Sequence, residues 1–317
     1  MKILLCAFLC LLLSGFATAE TWRFAVIGDT PYDDYETSEL PRMLDVIAAE
    51  HPSFIVHAGD LKASTTVCSD ELFRSRRALL DATRVPLIYV PGDNEWTDCR
   101  FGLAGGYDPR ERLHRLREIF FAEARSLGQP PIALERQAGG YPEHQRWRLG
   151  PVLFLTLNVP GPNNNYGNAA EPSAEFLARN PRLIEWLSEG FARARQERLA
   201  GVVIVMQANP SFAHDARGLA HTGYRQLLDN LRRETVAFPG QVLLIHGDTH
   251  WQRIDQPLRD PLSGRPIANF TRLETFGYPF LGWVKVIIDS EHARLFRFEV
   301  RAYGERSNVW QRYRGGR

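Results

Sequence analysis

Short continuous apolar runs alternate along the chain with stretches in which apolar residues recur at helical spacing. WRFAVI (22–27) reads as a strand, and Leu40, Leu44 and Ile47 after it are spaced for one face of a helix. SFIVHA (53–58) is a second strand, a helix is expected from about Ser69 through Leu80, and VPLIYV (85–90) is a third strand. Asp108-Pro109 opens a further helix, with Asp as N-cap, Pro in the first turn and Glu111 placed for a capping box. Its buried stripe is Leu113, Leu116 and Phe120. RWRLGPVLFLTL (146–157) reads as two consecutive strands about a Gly-Pro break, and Asn180-Pro181 is expected to cap a helix carrying Leu183, Leu187 and Phe191. GVVIVM (201–206) and QVLLIH (241–246) are buried strands separated by a helix near Tyr224 to Leu231. WVKVIIDS (283–290) and ARLFRFEV (293–300) alternate and are joined at Ser290-Glu291-His292, the pattern of a hairpin. The order is a βαβ series followed by mainly β structure, in one domain without a linker or an internal repeat.

The first nineteen residues stand outside this scheme. Lys2, an apolar stretch and Ala17-Thr18-Ala19 form a charged start, a hydrophobic core and a small-x-small cleavage site. The stretch falls short of the ~20 residues needed to span a bilayer. Residues 1–19 are therefore expected to be a signal peptide, residues 20–317 the mature domain, and the location periplasmic or secreted. No other segment is long and apolar enough to cross a membrane, so none is expected to hold the mature chain there. A net charge of +1 gives no field for nucleic acid or an anionic membrane, and neither is an expected partner. Cys6 and Cys10 leave with the signal. Cys68 and Cys99 remain, each shortly after a strand end; in an oxidising compartment they are either a bridge between two loops or two free thiols.

Four of the strands finish the same way, at Gly28-Asp29, Gly59-Asp60, Gly92-Asp93 and Gly247-Asp248. One aspartate after a strand is an ordinary Asx turn or helix cap. Parallel strands of βα units, however, bring their carboxyl ends to one edge of a sheet, where open α/β folds place ligands. Carboxylates gathered there repel one another and stay ionised together only around cations. The economical reading is a divalent-metal site.

With these motifs on the page, the chain resembles the calcineurin-like metallophosphoesterases. The usual pattern of that family is D-x-H, G-D, G-N-H-[DE], a His after a strand, and G-H-x-H. Here the corresponding residues are Asp29-Thr30-Pro31, Gly59-Asp60, Gly92-Asp93-Asn94-Glu95, Gln207 after GVVIVM, and Gly247-Asp248-Thr249-His250. The resemblance covers nearly the whole mature chain and implies an α/β fold: a two-sheet β-sandwich flanked by helices, in four αββα layers. Of the five histidines in the pattern only His250 is present. Pro31, Asn94, Gln207 and Asp248 take the places of the others, and Asp93 stands where Asn is usual. Most of the exchanges put another oxygen donor in place of a ring nitrogen.

By this correspondence Asp29, Asp60 and His250 hold one metal, with Tyr32 or water filling the gap left by Pro31. Asp60 bridges, and Asp93, Gln207 and Asp248 hold a second. Two divalent ions are implied, and oxygen-rich donors favour Mn²⁺, Mg²⁺ or Ca²⁺, with Fe or Zn as the alternatives. The implied function is hydrolysis of a phosphate mono- or diester, on a small phosphorylated substrate, by a metal-activated water. Asn94 stands at the proton donor's position and can give a hydrogen bond but no proton. His214 and His221, in the loop after Gln207, are the candidates for that role. His57 and His246 either orient ligand carboxylates or are plain core residues. Lys62 either grips phosphate, offsets carboxylate charge or is a surface lysine. Asn158 opens an asparagine-rich segment, NVPGPNNNYGN, that is either a substrate contact or a turn-rich connector. Trp96, Trp251 and Tyr278 either wall the pocket or pack. The alternative function is a non-catalytic relative that binds metal or a phosphorylated ligand, for which loss of the proton donor is the support.

Overall fold

A computed structural model describes residues 20–167, 171–218 and 222–306; the leader segment, Asn168 and His221 lie outside them. In chain order the first elements are β1 (Thr21–Ile27), α1 (Asp34–Ala49), β2 (Ile55–His57), α2 (Asp70–Asp81), β3 (Leu87–Tyr89) and α3 (Pro109–Phe120). Then come β4 (Glu135–Gln137), β5 (Tyr141–Leu149), β6 (Val152–Thr156), α4 (Ala174–Gln196) and β7 (Gly201–Val205). They are followed by α5 (Phe212–Asp215), α6 (Thr222–Ala237), β8 (Gln241–His246), β9 (Arg253–Asp255) and β10 (Phe270–Glu274). β11 (Gly282–Asp289) and β12 (Phe296–Ala302) are the last strands described.

The strands form two sheets, ordered β12-β11-β1-β2-β3 and β4-β5-β6-β7-β8-β10-β9. β1, β2 and β3 run parallel, as do β6, β7, β8 and β10. The period of two along each strand divides its side chains between two cores. Phe24 and Val26 of β1 meet Val203 and Val205 of β7 between the sheets. Ala25 and Ile27, the alternate residues, pack under α1 with Leu40, Leu44 and Ile47. Val202 and Ile204 face the other way, onto Leu183, Leu187 and Phe191 of α4 and Leu228 and Leu231 of α6. The inner strands β2, β3, β6 and β7 are buried on both faces, which is why they read as unbroken apolar runs. The result is the expected four layers: helices, five strands, seven strands, helices.

Two sequence readings are corrected. The fourth helix does not begin at Asn180-Pro181 but at Ala174, where the Ser173 hydroxyl accepts the Phe176 N–H at 3.1 Å. Asn180 is buried inside the helix and its carboxamide bonds to Gln226 of α6, so its polarity serves helix pairing and not a cap. At α3 the Asp108 cap forms as expected, accepting from Arg110 and Glu111, but Glu111 turns to Arg112 instead of closing the box. β10 has no counterpart in the sequence reading, although it lies parallel to β8 in the second sheet.

Candidate metal centre

The parallel strands bring the Gly-Asp pairs together at the facing edges of the two sheets. Asp29, Asp60 and Asp93 follow β1, β2 and β3; Gln207, Asp248 and His250 follow β7 and β8. The connections between them are direct. The Asp248 N–H donates to Asp29 Oδ1 at 2.9 Å, and Gln207 Nε2 donates to Asp93 Oδ1 at 2.8 Å and Asp60 Oδ2 at 3.2 Å. Asp29, Asp60 and Asp248 have φ values of +51°, +58° and +79°, a backbone region that aspartate tolerates better than most residues.

Two of the motif glycines make room for a carboxylate of another motif. A β-carbon on Gly92 would lie 1.9 Å from Asp60 Oδ1, and one on Gly247 would lie 2.2 Å from Asp29 Oδ2. Neither glycine is left-handed; what they supply is space for another strand's carboxylate. At Gly59 the requirement is instead a left-handed backbone, φ +94°.

Asp29, Asp60 and Asp93 are buried and Asp248 is partly buried, and among the described residues no lysine or arginine forms an ion pair with any of them. Burial, and then the charge of Asp93, push Asp60 well above the usual carboxylate range. Burial likewise raises Asp29 and Asp93, and with help from Asp93 it raises Asp248 to about 7. A cation here would relieve that cost.

One half of the cluster has the character of a ligand set. His250 Nδ1 lies 2.9 Å from the Tyr278 carbonyl, which accepts only, so that nitrogen carries the proton and Nε2 keeps its lone pair. Nε2 stands 3.7 Å from Asp29 Oδ1 and 3.3 Å from the Tyr32 hydroxyl, which donates to Asp60 Oδ2 at 3.0 Å. The Thr275 hydroxyl holds the other oxygen of Asp29 at 3.0 Å. Among the described residues no three His, Cys, Asp or Glu side chains close round one point by themselves. The Tyr32 phenol lies between His250 and Asp60 and contacts both. Carboxylates, one imidazole lone pair and a phenol are donors that suit a divalent cation.

Other expected residues are placed differently. Asn94 is buried, and its amino group donates to the Tyr32 hydroxyl at 2.9 Å and the Lys62 carbonyl at 3.0 Å. It positions Tyr32, with no N–H left for a substrate. Lys62 is fully buried with its ammonium on the Ala63 carbonyl at 3.0 Å, so it does not reach a phosphate. Asn158 is fully buried too, donating to Glu143 Oε1 at 3.1 Å beneath the site instead of lining it. The rest of its segment is a turn: Asn163, Asn164 and Asn165 all have positive φ, and Asn164 bonds the Gly223 carbonyl. His57 and His246 are buried and held neutral, pushed down by burial to about 4 and about 3, with their bonds to main-chain carbonyls. Neither touches a carboxylate of the cluster. His214 lines a cavity of about 520 Å³ that shares Asn209 with the cluster, whose N–H donates to Asp248 Oδ2 at 2.8 Å. Tyr278 stacks on Tyr32 at the rim, Trp251 is 53% exposed, and Trp96 is a core residue.

Sequence reasoning missed Thr275, Asn209 and Glu36. Glu36 is buried and accepts from the Tyr32 N–H at 2.8 Å and the Thr30 hydroxyl at 3.2 Å, bracing the loop after Asp29. Burial lifts its carboxyl to about 7. The signal was present: Asp33-x-x-Glu36 has the spacing of a helix cap with its N3 partner. Thr275 and Asn209 have no local signal, since each acts through a strand-end contact distant in sequence.

A family profile described as calcineurin-like phosphoesterase matches residues 23–252, more than half of the chain, and the chain belongs to that family. Its fold is similar to that of a dimetal phosphatase from Danio rerio, at 14% identity and a TM-score of 0.52, covering 90% of this chain and 97% of that one. It is similar to a purple acid phosphatase from yellow lupin seeds, at 12% identity and a TM-score of 0.54, covering 90% of this chain but 52% of that one. PhoD is a third, at 14% identity and a TM-score of 0.56, covering 86% and 65%. These are likenesses of fold. No curated protein matches the sequence.

Proposed function

We propose that this member of the calcineurin-like phosphoesterase family is an exported, metal-dependent hydrolase of phosphate mono- or diesters. The carrying observation is the gathering of four carboxylates from two sheets, three of them buried, with no lysine or arginine paired to them among the described residues, beside an imidazole whose free nitrogen faces in. Asp29, Asp60 and His250, with Tyr32, would hold the cation, and Asp93 and Asp248 extend the acidic wall. When bound, a divalent ion supplies charge to neutralise phosphoryl oxygens and lowers the pKa of water. The residues do the rest. The Asp248 N–H and Thr275 fix Asp29, the Tyr278 carbonyl fixes the His250 tautomer, and Asn94 and Asp60 fix the Tyr32 hydroxyl. Asn94 supplies no proton to a leaving group, and His214, in the adjoining cavity, and His221 are the remaining candidates that the leaving-group dependence tests.

A second reading, a non-catalytic binding relative, is favoured by one observation: both N–H groups of the Asn94 carboxamide are engaged within the protein. Metal content after purification, followed by chromogenic aryl mono- and diester assays with Mn²⁺, separates the two. Metal with turnover supports the enzyme, metal without turnover supports the binding relative, and the absence of both metal and turnover excludes the two readings. Export is supported by the leader and by the Cys68–Cys99 disulfide, which suits an oxidising compartment. A mature N-terminus at Glu20 in protein recovered from its native cells is the check; an intact Met1 would count against export. Among the described residues no helix is long and apolar enough to cross a membrane.

A further inference from the structure

The family resemblance implies two ions, yet the two sides of Asp60 differ in kind. On the side of β7 the Gln207 carboxamide lies between Asp60 and Asp93. Its oxygen accepts the Gly161 N–H at 2.8 Å. A backbone N–H can only donate, so the acceptor end of the carboxamide must face Gly161 and the amino end must face the carboxylates. Turning the group over would set an amino group against the Gly161 N–H and a carbonyl against two carboxylates. Gly161 covers the same place from above: a β-carbon on it would lie 2.9 Å from Asp248 Oδ1 and 3.1 Å from Asp93 Oδ2. Here the carboxylates meet N–H donors of the protein. On the other side, Asp29 and His250 Nε2 present lone pairs across 3.7 Å.

We propose that the centre takes one tightly held divalent ion, on the Asp29–Asp60–His250 side, and that the Gln207 carboxamide closes the second position. Gln207 is then no ligand but a neutral substitute for a cation, sharing its two N–H groups between Asp60 and Asp93. The proposal rests on the metal-dependent reading above. It concerns the number of ions and not whether the chain binds any.

The test is titration of the metal-free full chain with Mn²⁺ by calorimetry, with electron paramagnetic resonance of the loaded protein. One equivalent per chain and the hyperfine pattern of an isolated Mn²⁺ are expected. Gln207→His and Gln207→Glu each replace the donor with a lone pair, and either should raise the uptake to two equivalents with an exchange-coupled spectrum. Two coupled ions in the wild-type chain would overturn the proposal and leave the metal-dependent reading intact. One ion in the wild type with no gain in either folded variant would also overturn it, because Gln207 would not be what closes the position. No Mn²⁺ uptake by the wild-type chain would overturn both.

Discussion

The main-chain N–H of Asp248 donates to the Oδ1 atom of Asp29 at 2.9 Å, across 219 positions of sequence. The two aspartates end strands of different sheets, β8 and β1. The Thr275 hydroxyl, also from the second sheet, holds the remaining oxygen. A carboxylate gripped on both oxygens cannot retreat from an intruding atom.

Gly247→Ala tests that grip. The new β-carbon would stand 2.2 Å from Asp29 Oδ2 and 2.8 Å from Asp29 Cγ, with no flexible side-chain end to give way. Overpacking of this kind costs about 1–3 kcal/mol. Displacing a ligand from its supports weakens metal affinity by about 10–100-fold. Chemical denaturation and Mn²⁺ calorimetry should register both losses. An unchanged midpoint and an unchanged affinity would show that Asp29 is free to move.

Leaving-group dependence tests the source of the proton. Asn94 carries no acid and its amide is occupied with Tyr32 and Lys62. Aryl phosphates with acidic phenols should be cleaved far faster than alkyl phosphates. Asn94→His should help the alkyl esters most, by up to the ~10²–10⁴-fold of general acid catalysis. Asp60→Asn should abolish turnover of both. A flat dependence would point to His214 or His221 as an acid already in place, and the His214→Gln variant would then steepen it.

Cys68 and Cys99 are joined, with Cα atoms 5.8 Å apart and 31 positions between them. They tie the loop after Asp60 to the loop after Asp93. Thiol titration of denatured, unreduced protein should find neither free. Replacing both with alanine should lower stability by about 3–4 kcal/mol, the loop-closure effect for a ring of this length. A loss below about 1 kcal/mol would mean that the reduced chain keeps the loops together in its unfolded state.

His144 lies away from the cluster, fully buried, with Nδ1 2.6 Å from Gln137 Oε1. Burial depresses it to about 4, against the opposing charge of Glu143 and with the support of Arg179 and Arg117. The unfolded chain therefore takes up a proton at this residue before the folded one does. Its contribution is intact above the ordinary histidine range near 6.5 and is lost as pH falls from there toward 4. Compared with His144→Gln, the wild type should lose on the order of 3 kcal/mol more between pH 7 and pH 4. Parallel stability profiles for the two proteins would show that His144 titrates alike in the folded and unfolded chain.

The layers and the meeting of the four aspartates were legible because both depend on short-range pattern: apolar runs set the strands, and parallel strands must end on one edge. The direction of Gln207 was not legible. It depends on the Gly161 N–H, contributed by a loop whose path the sequence does not specify. The burial of Lys62 and Asn158 was hidden because neither residue type is apolar: Lys62 bonds the carbonyl of its neighbour Ala63, and Asn158 bonds Glu143 of β5. Asn180 misled because Asn-Pro is a good helix start in isolation, and Ser173 captures that role by offering a cap seven residues earlier.

The cluster draws half its members from each sheet, and this makes it a clasp as well as a pocket. Whatever binds there binds only while the two sheets face each other, so its binding energy counts toward keeping them together. At a free concentration one hundred times its dissociation constant, a single bound ion adds about 2.7 kcal/mol to the folded state. The sandwich would then be more rigid where the ion is plentiful and quicker to open where it is scarce. Resistance to proteolysis thereby becomes a reading of the surrounding metal.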